Sequence, residues 1–579
     1  MIRPVLRRLA RLVIGFLAVV GATTLALLLL ASLAGWSLWQ RIAERSYAVP
    51  ERLVLTLDLR GSLADRSQIA PWTLFEPEPP LDLTDTLLAL DAAARDPRVR
   101  GVVARIDATS HGFAAAQELR DAILRFRASG RFAFVHADSF GGLGPGNEGY
   151  FLATAFDRIV LQPEGTLGLT GLALEIPYLG GLLERLGVEG EIVQREEYKT
   201  AFETFVARQP SPAQVETLDR LLERVEQQWL VAMAQSRNLA PAALRSLVDG
   251  GPWTAQEALA HGLVDDLGHL DEVETEAKAR AGGDAELWPL ARFAAWTQPK
   301  EPTAGTIRVA VVRATGPVGF VLDGGEGIDA DELVDLLDQA ADDEEVDALL
   351  LRLDSPGGAP TAAAAIARAI ERLRAVGKPV VVSMENTAAS GGYWIAAAAD
   401  RILALPGTLT GSIGVIAGKP VLARLWQELD VHWARFARGR HAGLASLHRP
   451  WEPEERARIE AMVDGLYQLF LAHVATRREL PPERVRTMAG GRVHVGEEAL
   501  ALGLVDALGG VLLARQIFPE LLRRPAGTPV QFGRYPRDAL DLRSLARLLR
   551  RLPWLGEARL ERAAPPAEFL AIAPPLRLR

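Results

Sequence analysis

Short β-branched and leucine-rich runs alternate with stretches of helical period along most of the chain, and the whole series is written twice. In the later half the runs Ile307–Val312, Ala348–Leu353, Pro379–Ser383, Arg401–Leu405 and Val431–Phe436 read as strands, and the helical stretches between them make βαβ units. Leu90-Asp91-Ala92-Ala93 through Ile106-Asp107 matches Leu337-Asp338-Gln339-Ala340 through Leu353-Asp354 without a gap. Asp157-Arg158-Ile159 returns as Asp400-Arg401-Ile402, and Gly262-Leu263-Val264-Asp265 as Gly503-Leu504-Val505-Asp506. Each copy predicts an α/β domain with a parallel sheet covered by helices. Pro299, Lys300, Glu301 and Pro302 interrupt both periodicities, so the copies are expected at 46–300 and 301–532.

The two ends follow other patterns. Leu12 to Trp39 carries no charge, longer than the roughly 20 residues that cross a bilayer. Arg3, Arg7, Arg8 and Arg11 precede it and should stay in the cytoplasm. Residues 1–45 therefore read as a cytoplasmic basic tail and an N-terminal transmembrane helix, with lipid contact through 12–39, Trp36 and Trp39 at the outer interface, and the rest of this single-pass chain outside the cytoplasm. At the other end, 533–579, Leu540, Leu545, Leu548, Leu549 and Leu552 alternate with arginines as a basic amphipathic helix.

Composition narrows the chemistry. Of 579 residues none is cysteine, which excludes thiol catalysis, disulfides and cysteine–zinc sites. A net charge of -9 argues against nucleic acid as a partner. Of 64 basic residues only five are lysine.

Ser390 lies where Val380-Val381-Val382 has ended as a strand and Ile395 to Ala399 begin a helix, in Ala389-Ser390-Gly391-Gly392-Tyr393. Backbone N–H groups at a helix start lack internal partners and favour negative charge, so a serine between small residues there is built like a nucleophile beside an oxyanion site. The Gly391 N–H is one expected donor. Gly358, in Asp354-Ser355-Pro356-Gly357-Gly358, is the second, because glycine at a strand end lets the backbone approach a ligand. The first copy has Asn147 opposite Ser390 and no Pro-Gly-Gly turn.

A serine hydroxyl needs a base. His432, His441 and His448 stand in the second copy without an orienting acid nearby in sequence, and lysine is the known variant. Lys199 sits in the apolar setting Tyr198-Lys199-Thr200-Ala201-Phe202 after a strand. Acting as a base near neutrality requires burial to lower its pKa by ~3 units, about 4 kcal/mol, so Glu196, Glu197 and Glu203 should face away. Its counterpart in the second copy is Arg440, which cannot release a proton. Each copy keeps the half that the other has lost, as expected of one dyad assembled across both.

On these motifs, together with Thr410-Gly411-Ser412-Ile413-Gly414, the chain resembles the signal peptide peptidase A (protease IV) family in its long, two-repeat, membrane-anchored form. The resemblance implies tandem crotonase-like/Clp-protease-like repeats, Ser390 as nucleophile, Lys199 as general base, and Ser412 as the hydroxyl that orients the lysine. It further implies a homotetramer on the outer face of the membrane that degrades hydrophobic signal peptides left after secretion. Where the family pattern would have proline after Glu203, this chain has Thr204. Ala388, Ala389 and Ala396 to Ala399 suggest room for Leu- or Ala-like side chains at the cleaved bond. No metal, nucleotide or other cofactor is called for. A catalytically inactive scaffold of the same fold and a crotonase-type acyl-CoA enzyme are the competing readings.

Overall fold

Two sheets with one strand order give the duplication its physical form. The computed structural model describes residues 21, 23–30, 32, 49–61, 63, 65, 81–142, 144–297, 304–320, 327–536 and 571–572. From the first repeat come β1 (Leu53–Asp58), β2 (Val99–Ile106), β3 (Phe132–Ala137), β4 (Arg158–Leu161), β5 (Glu189–Arg195), β6 (Asp266–Leu267) and β7 (Glu286–Pro289). All but β5 form a parallel sheet in the order β6-β4-β3-β2-β1-β7.

The second repeat supplies β8 (Ile307–Thr315), β9 (Val318–Gly319), β10 (Ala348–Ser355), β11 (Gly357–Gly358), β12 (Val380–Ala389), β13 (Arg401–Ala404), β14 (Leu409–Gly411), β15 (Val415–Val421), β16 (Val493–Val495), β17 (Ala507–Leu508) and β18 (Val530–Arg534). Its parallel path β17-β13-β12-β10-β8-β18 repeats the first order strand for strand. The far end of β12 also carries β14, which pairs antiparallel with β16. Four of the five strands expected in this repeat form. The fifth, Val431–Phe436, is not a strand: the segment is exposed throughout and pairs with nothing among the described residues. Its counterpart in the first repeat is β5, whose partner β15 comes from the second repeat, so a strand at 431–436 has no second-repeat neighbour to pair with.

The recurring sequence signatures turn out to be structural. Asp157 and Asp400 each accept an N–H at the start of the neighbouring strand, from Ala133 and Val380, at 2.8 Å. Asp265 and Asp506 do the same for Ile159 and Ile402 at 2.8 and 2.7 Å, and each takes an arginine, Arg237 or Arg478. Tyr150 and Tyr393 donate to Leu263 and Leu504 carbonyls in equivalent positions. Buried strand ends leave backbone donors that must be paired, which accounts for the carboxylates in both copies.

Helices cover the sheets: α1 (Phe113–Ala128), α2 (Asn147–Ala153), α3 (Pro212–Arg237), α4 (Pro360–Ala375), α5 (Gly391–Ala397) and α6 (Pro453–Arg477) are the ones that bear on the site. The long α3 starts at Ser211, whose side chain accepts from Gln214 N, with proline at its first turn, and stops at left-handed Asn238. The interior of the second repeat is built of Val, Ile, Leu and Ala from β8, β10 and β12 packed against α4 and α5, both faces apolar as a helix-covered parallel sheet requires.

Charge ties the repeats together. Arg352 on β10 is fully buried and meets Asp65 at 3.0 Å, Glu118 of α1 at 2.9 Å and Glu385 at 3.5 Å. Arg313 on β8 reaches Asp82 at 2.9 Å and Asp85 at 2.8 Å. Asp65, Asp82, Asp85 and Glu118 belong to the first repeat and both arginines to the second, so most of the charge opposite each guanidinium arrives only when the halves are docked. From Leu53 onward the chain is one compact unit.

Residues 1–52 form a separate unit. Of the expected anchor at 12–39, residues 21, 23–30 and 32 are helical and the remainder lies outside the described residues. Among the described residues no helix is long and apolar enough to cross a membrane. The interruption at 299–302 and the amphipathic stretch 540–552 also lie outside them.

Candidate active site

Ser390 stands between the end of β12 and the start of α5, where the strand pattern predicts a turn. Its backbone is left-handed, with φ 56° and ψ -117°. That conformation costs a non-glycine residue roughly 1–3 kcal/mol. The turn is held by the Ser390 N–H, which donates to the Gly411 carbonyl at 2.8 Å, and by Trp394 N donating back to Ser390 O at 2.9 Å. A sharp strand-to-helix turn of this kind projects a serine hydroxyl away from both elements.

Lys199 comes from the other repeat. It follows β5, and β5 pairs antiparallel with β15 from Arg195↔Val415 to Glu189↔Val421. That pairing delivers the residues after Arg195 to Ser412 and Gly414, which precede β15. The ammonium nitrogen lies 2.6 Å from Ser390 Oγ, 3.0 Å from the Ser412 carbonyl oxygen and 3.1 Å from Ser412 Oγ. Three partners suit a neutral amine, whose two N–H groups donate and whose lone pair accepts. Lys199 is 1% exposed and Ser390 0%.

Burial alone sets the state of the amine. Desolvation lowers the Lys199 pKa to about 7, and no carboxylate opposes it. Glu196 and Glu197 are exposed, while Glu203 turns to Ser211, accepting from its N–H and hydroxyl at 3.0 and 2.7 Å. All three carboxylates face away, as the need for a neutral amine demands.

Of the glycines beside the serine, Gly358 has no room for a Cβ and Gly391 has little. A Cβ on Gly358 would lie 2.0 Å from the Val318 carbonyl oxygen, and one on Gly391 would lie 3.0 Å from the Gly358 nitrogen. The Gly358 and Gly391 backbones therefore lie side by side next to Ser390. Ser355 Oγ shapes the approach, donating to Gly316 O at 2.7 Å and accepting from Gly357 N at 3.2 Å.

The other bases go elsewhere. His432 is exposed, and His448 stacks on Trp433 with ring centroids 3.7 Å apart and accepts from Trp426 Nε1 at 3.0 Å. Lys378 donates to the carbonyls of Ala340, Ala341 and Asp343, and Lys419 to those of Ser446 and Arg449. Arg440, opposite Lys199 in the repeat, lies on the surface against Glu454. Asn147, opposite Ser390, is fully committed: its carbonyl accepts from Thr170 N and Gly171 N, and its amide donates to Gly171 O.

A family model described as Peptidase family S49 matches residues 145–283 and 372–521. The chain is 31% identical over 514 residues to the chloroplastic serine protease SPPA of Arabidopsis thaliana, covering 87% of this chain and 73% of that one. It is 31% identical over 443 residues to protease 4 of Salmonella typhi, covering 74% and 70%, and 28% identical over 514 residues to protease 4 of Haemophilus influenzae, covering 84% and 82%. The chain belongs to peptidase family S49. It is a serine protease, which sets aside the acyl-CoA and scaffold readings. Among solved structures a ClpP1 mutant from Listeria monocytogenes is similar at 17% identity, with a TM-score of 0.24 over 35% of this chain and 91% of that one, too slight a likeness to bear on the fold.

The two matched S49 segments fall one in each repeat, the first holding Lys199 and the second Ser390, Gly391 and Ser412. Two residues beside Lys199 escape the sequence reading. Gly491, with φ +81°, lets the chain pass so close to Lys199 that a Cβ would sit 2.5 Å from the Lys199 backbone nitrogen, and its N–H donates to Ile413 O at 3.0 Å. Arg492 O accepts from Ser412 N at 2.6 Å while its guanidinium covers the Tyr198 ring at 3.5 Å, fastening both sides of the lysine. The Gly490-Gly491 pair was the available signal. One expectation fails: Ala388 and Ala396–Ala399 are packed into the second repeat's core behind the serine, so they open no slot for a substrate side chain.

Proposed function

We propose that the chain is a membrane-anchored endopeptidase whose Ser390–Lys199 dyad hydrolyses hydrophobic peptides, signal peptides left in the membrane being the expected class. The observation that carries this is the 2.6 Å approach of Lys199 Nζ to Ser390 Oγ in a site where burial brings the amine pKa to about 7. Neutral Lys199 takes the hydroxyl proton as Oγ attacks the peptide carbonyl, and the Gly358 and Gly391 N–H groups receive the oxyanion. The lysine then protonates the leaving amine. Water, activated by the same nitrogen, hydrolyses the acyl-enzyme. Ser412 contributes two of the three contacts to Nζ and so holds the amine in line with Oγ.

The matched sheet orders support tandem crotonase-like/Clp-like repeats. The charge-free run 12–39 behind four arginines supports a single-pass anchor with the catalytic part outside the cytoplasm. A homotetramer is supported by an unfinished pairing. β5 pairs with β15 inside one chain, but their counterparts, 431–436 and 172–178, pair with nothing among the described residues. Each copy so offers one strand and one partner edge, a head-to-tail arrangement that closes into a ring.

A fluorophosphonate should label the wild-type chain at Ser390 and leave Ser390→Ala unlabelled, with Lys199→Arg folded and inactive. Undiminished peptide hydrolysis by either variant overturns the dyad.

A further inference from the structure

The first repeat keeps a cavity where a reaction centre of its own would stand. It measures about 240 Å³, is walled by Phe113 of α1, Leu172, and Val225 and Trp229 of α3, and is also lined by Ser110 and Pro145, which are exposed and mark its mouth. Asn147 and Glu148 line it as well, at the positions that face Ser390 and Gly391 in the second repeat.

The polarity there is reversed. In the mechanism above, the Gly358 N–H receives a transient oxyanion. His111, which faces Gly358 across the repeat, donates its N–H to the Glu148 carboxylate instead, and Ser110 Oγ donates to the other carboxylate oxygen. The first repeat thus holds an acid of its own where the second leaves the donors open.

That acid has no counter-ion among the described residues. Burial pushes the Glu148 pKa up, its hydrogen bonds pull it down, and no cationic side chain contributes. Asp65, Asp82 and Glu118, by contrast, each face Arg313 or Arg352. A buried anion is costly without an opposite charge. A carboxylate has about four lone-pair sites, so the donors around Glu148 leave at least one for a ligand.

Size and lining decide what sits beside it. An apolar cavity of about 150 Å³ already holds benzene, so this larger one has space for a branched or aromatic side chain together with an ammonium. Aromatic walls favour both parts.

We propose that this cavity binds the free amino terminus of a peptide whose first residue is apolar, with its ammonium on Glu148 and its side chain among Phe113, Leu172, Val225 and Trp229. A serine protease generates such ligands, because each cleaved bond leaves a new amino terminus on one product. Peptide hydrolysis is all that this requires, whichever groups carry it out.

Calorimetric titration of the full-length Ser390→Ala chain tests it, since that variant leaves the cavity intact and binding is read without turnover. Leucine amide should bind and raise Tm, and N-acetyl-leucine amide, which has no ammonium, should bind at least about tenfold more weakly. This comparison needs no change in the cavity itself. Adding Glu148→Gln keeps an acceptor for the His111 N–H but removes the charge, and should abolish the preference. Adding Leu172→Trp, at a half-buried wall position, fills the space and should weaken leucine amide about tenfold. Equal binding of the two amides, or no binding of either, overturns the proposal. A preference that survives Glu148→Gln, or an affinity untouched by Leu172→Trp, places the ligand elsewhere and overturns it too. Tighter binding of isoamylamine, which is leucine amide without its amide group, would assign the cavity to free amines and refute the peptide terminus. Loss of the dyad leaves all these outcomes unchanged, because Ser390 is absent throughout.

Discussion

Lys199 Nζ and Ser390 Oγ lie 2.6 Å apart although 191 positions and a repeat boundary separate them. The antiparallel pairing of β5 with β15 makes this contact, and the absence of a counter-ion makes it useful. With desolvation the sole cause of the shift, the lysine is neutral above about pH 7. The rate constant kcat/KM should therefore rise with pH through about 7 and level off, with no acid limb from a histidine. Lys199→Arg should lower kcat by at least ~1000-fold, since a guanidinium stays protonated. A pH–rate profile between pH 5 and 9 checks both.

The same burial costs stability, and the sign is fixed. Between about pH 7 and 10.5 the unfolded lysine carries a proton that the folded one lacks, so unfolding free energy contributed by this group rises with pH across that window and is lowest below it. At pH 7.5 the penalty amounts to about 4 kcal/mol. Lys199→Met fills a similar volume without charge, so it should abolish turnover while raising Tm, and the gain should shrink towards pH 10. Thermal melts at three pH values measure it. A lower Tm at pH 7.5 would show that the amine is not buried as described.

Gly491→Ala tests a residue that neither repeat advertises. Its Cβ would fall 2.5 Å from the Lys199 backbone nitrogen and 2.9 Å from its Cα, at a φ of +81°. The backbone carrying the lysine must move by several tenths of an ångström, and catalytic geometry tolerates little of that. A fall in kcat of about 100-fold with KM nearly unchanged is expected. Loss confined to KM would remove Gly491 from the positioning of the base.

Arg352 should prove costly to delete. It is fully buried among Asp65, Glu118 and Glu385, and removing one partner of such a cluster strands the others. Arg352→Ala should destabilise by about 3–5 kcal/mol and loosen the docking of the repeats. Denaturant unfolding of Arg352→Ala against wild type gives the value.

The sheets, the duplicated order and the strand–turn–helix at Ser390 were legible because apolar runs and glycines are local signals. The lysine was legible by subtraction, since Arg440 and Asn147 mark what each copy lacks. What the letters could not carry is contact between distant segments. Nothing in Val431–Phe436 says that its pairing edge belongs elsewhere, because β5 reads no more strongly as a strand yet has β15 beside it. Ala396–Ala399 look like room for a substrate and are core, because small residues serve close helix packing as readily as open space. Arg492 is an ordinary arginine until Ser412 and Tyr198 are both seen against it.

The unpaired segment leads to the last expectation. Leu429, Val431 and Trp433 are exposed and Phe436 is 94% exposed, an apolar edge of the kind that soluble chains cover by association. Across the repeat, 172–178 alternates between partly covered and exposed positions without a strand partner, although its counterpart β15 is fully paired to β5. If a neighbouring chain completes the second junction, charges placed on 431–436 should break it and leave the first intact. Trp433→Glu with Phe436→Glu should shift the sedimenting species to monomer, while Lys199 and Ser390, joined within one chain, keep their fluorophosphonate labelling. An assembly unchanged by both substitutions would mean that the chains associate through another surface.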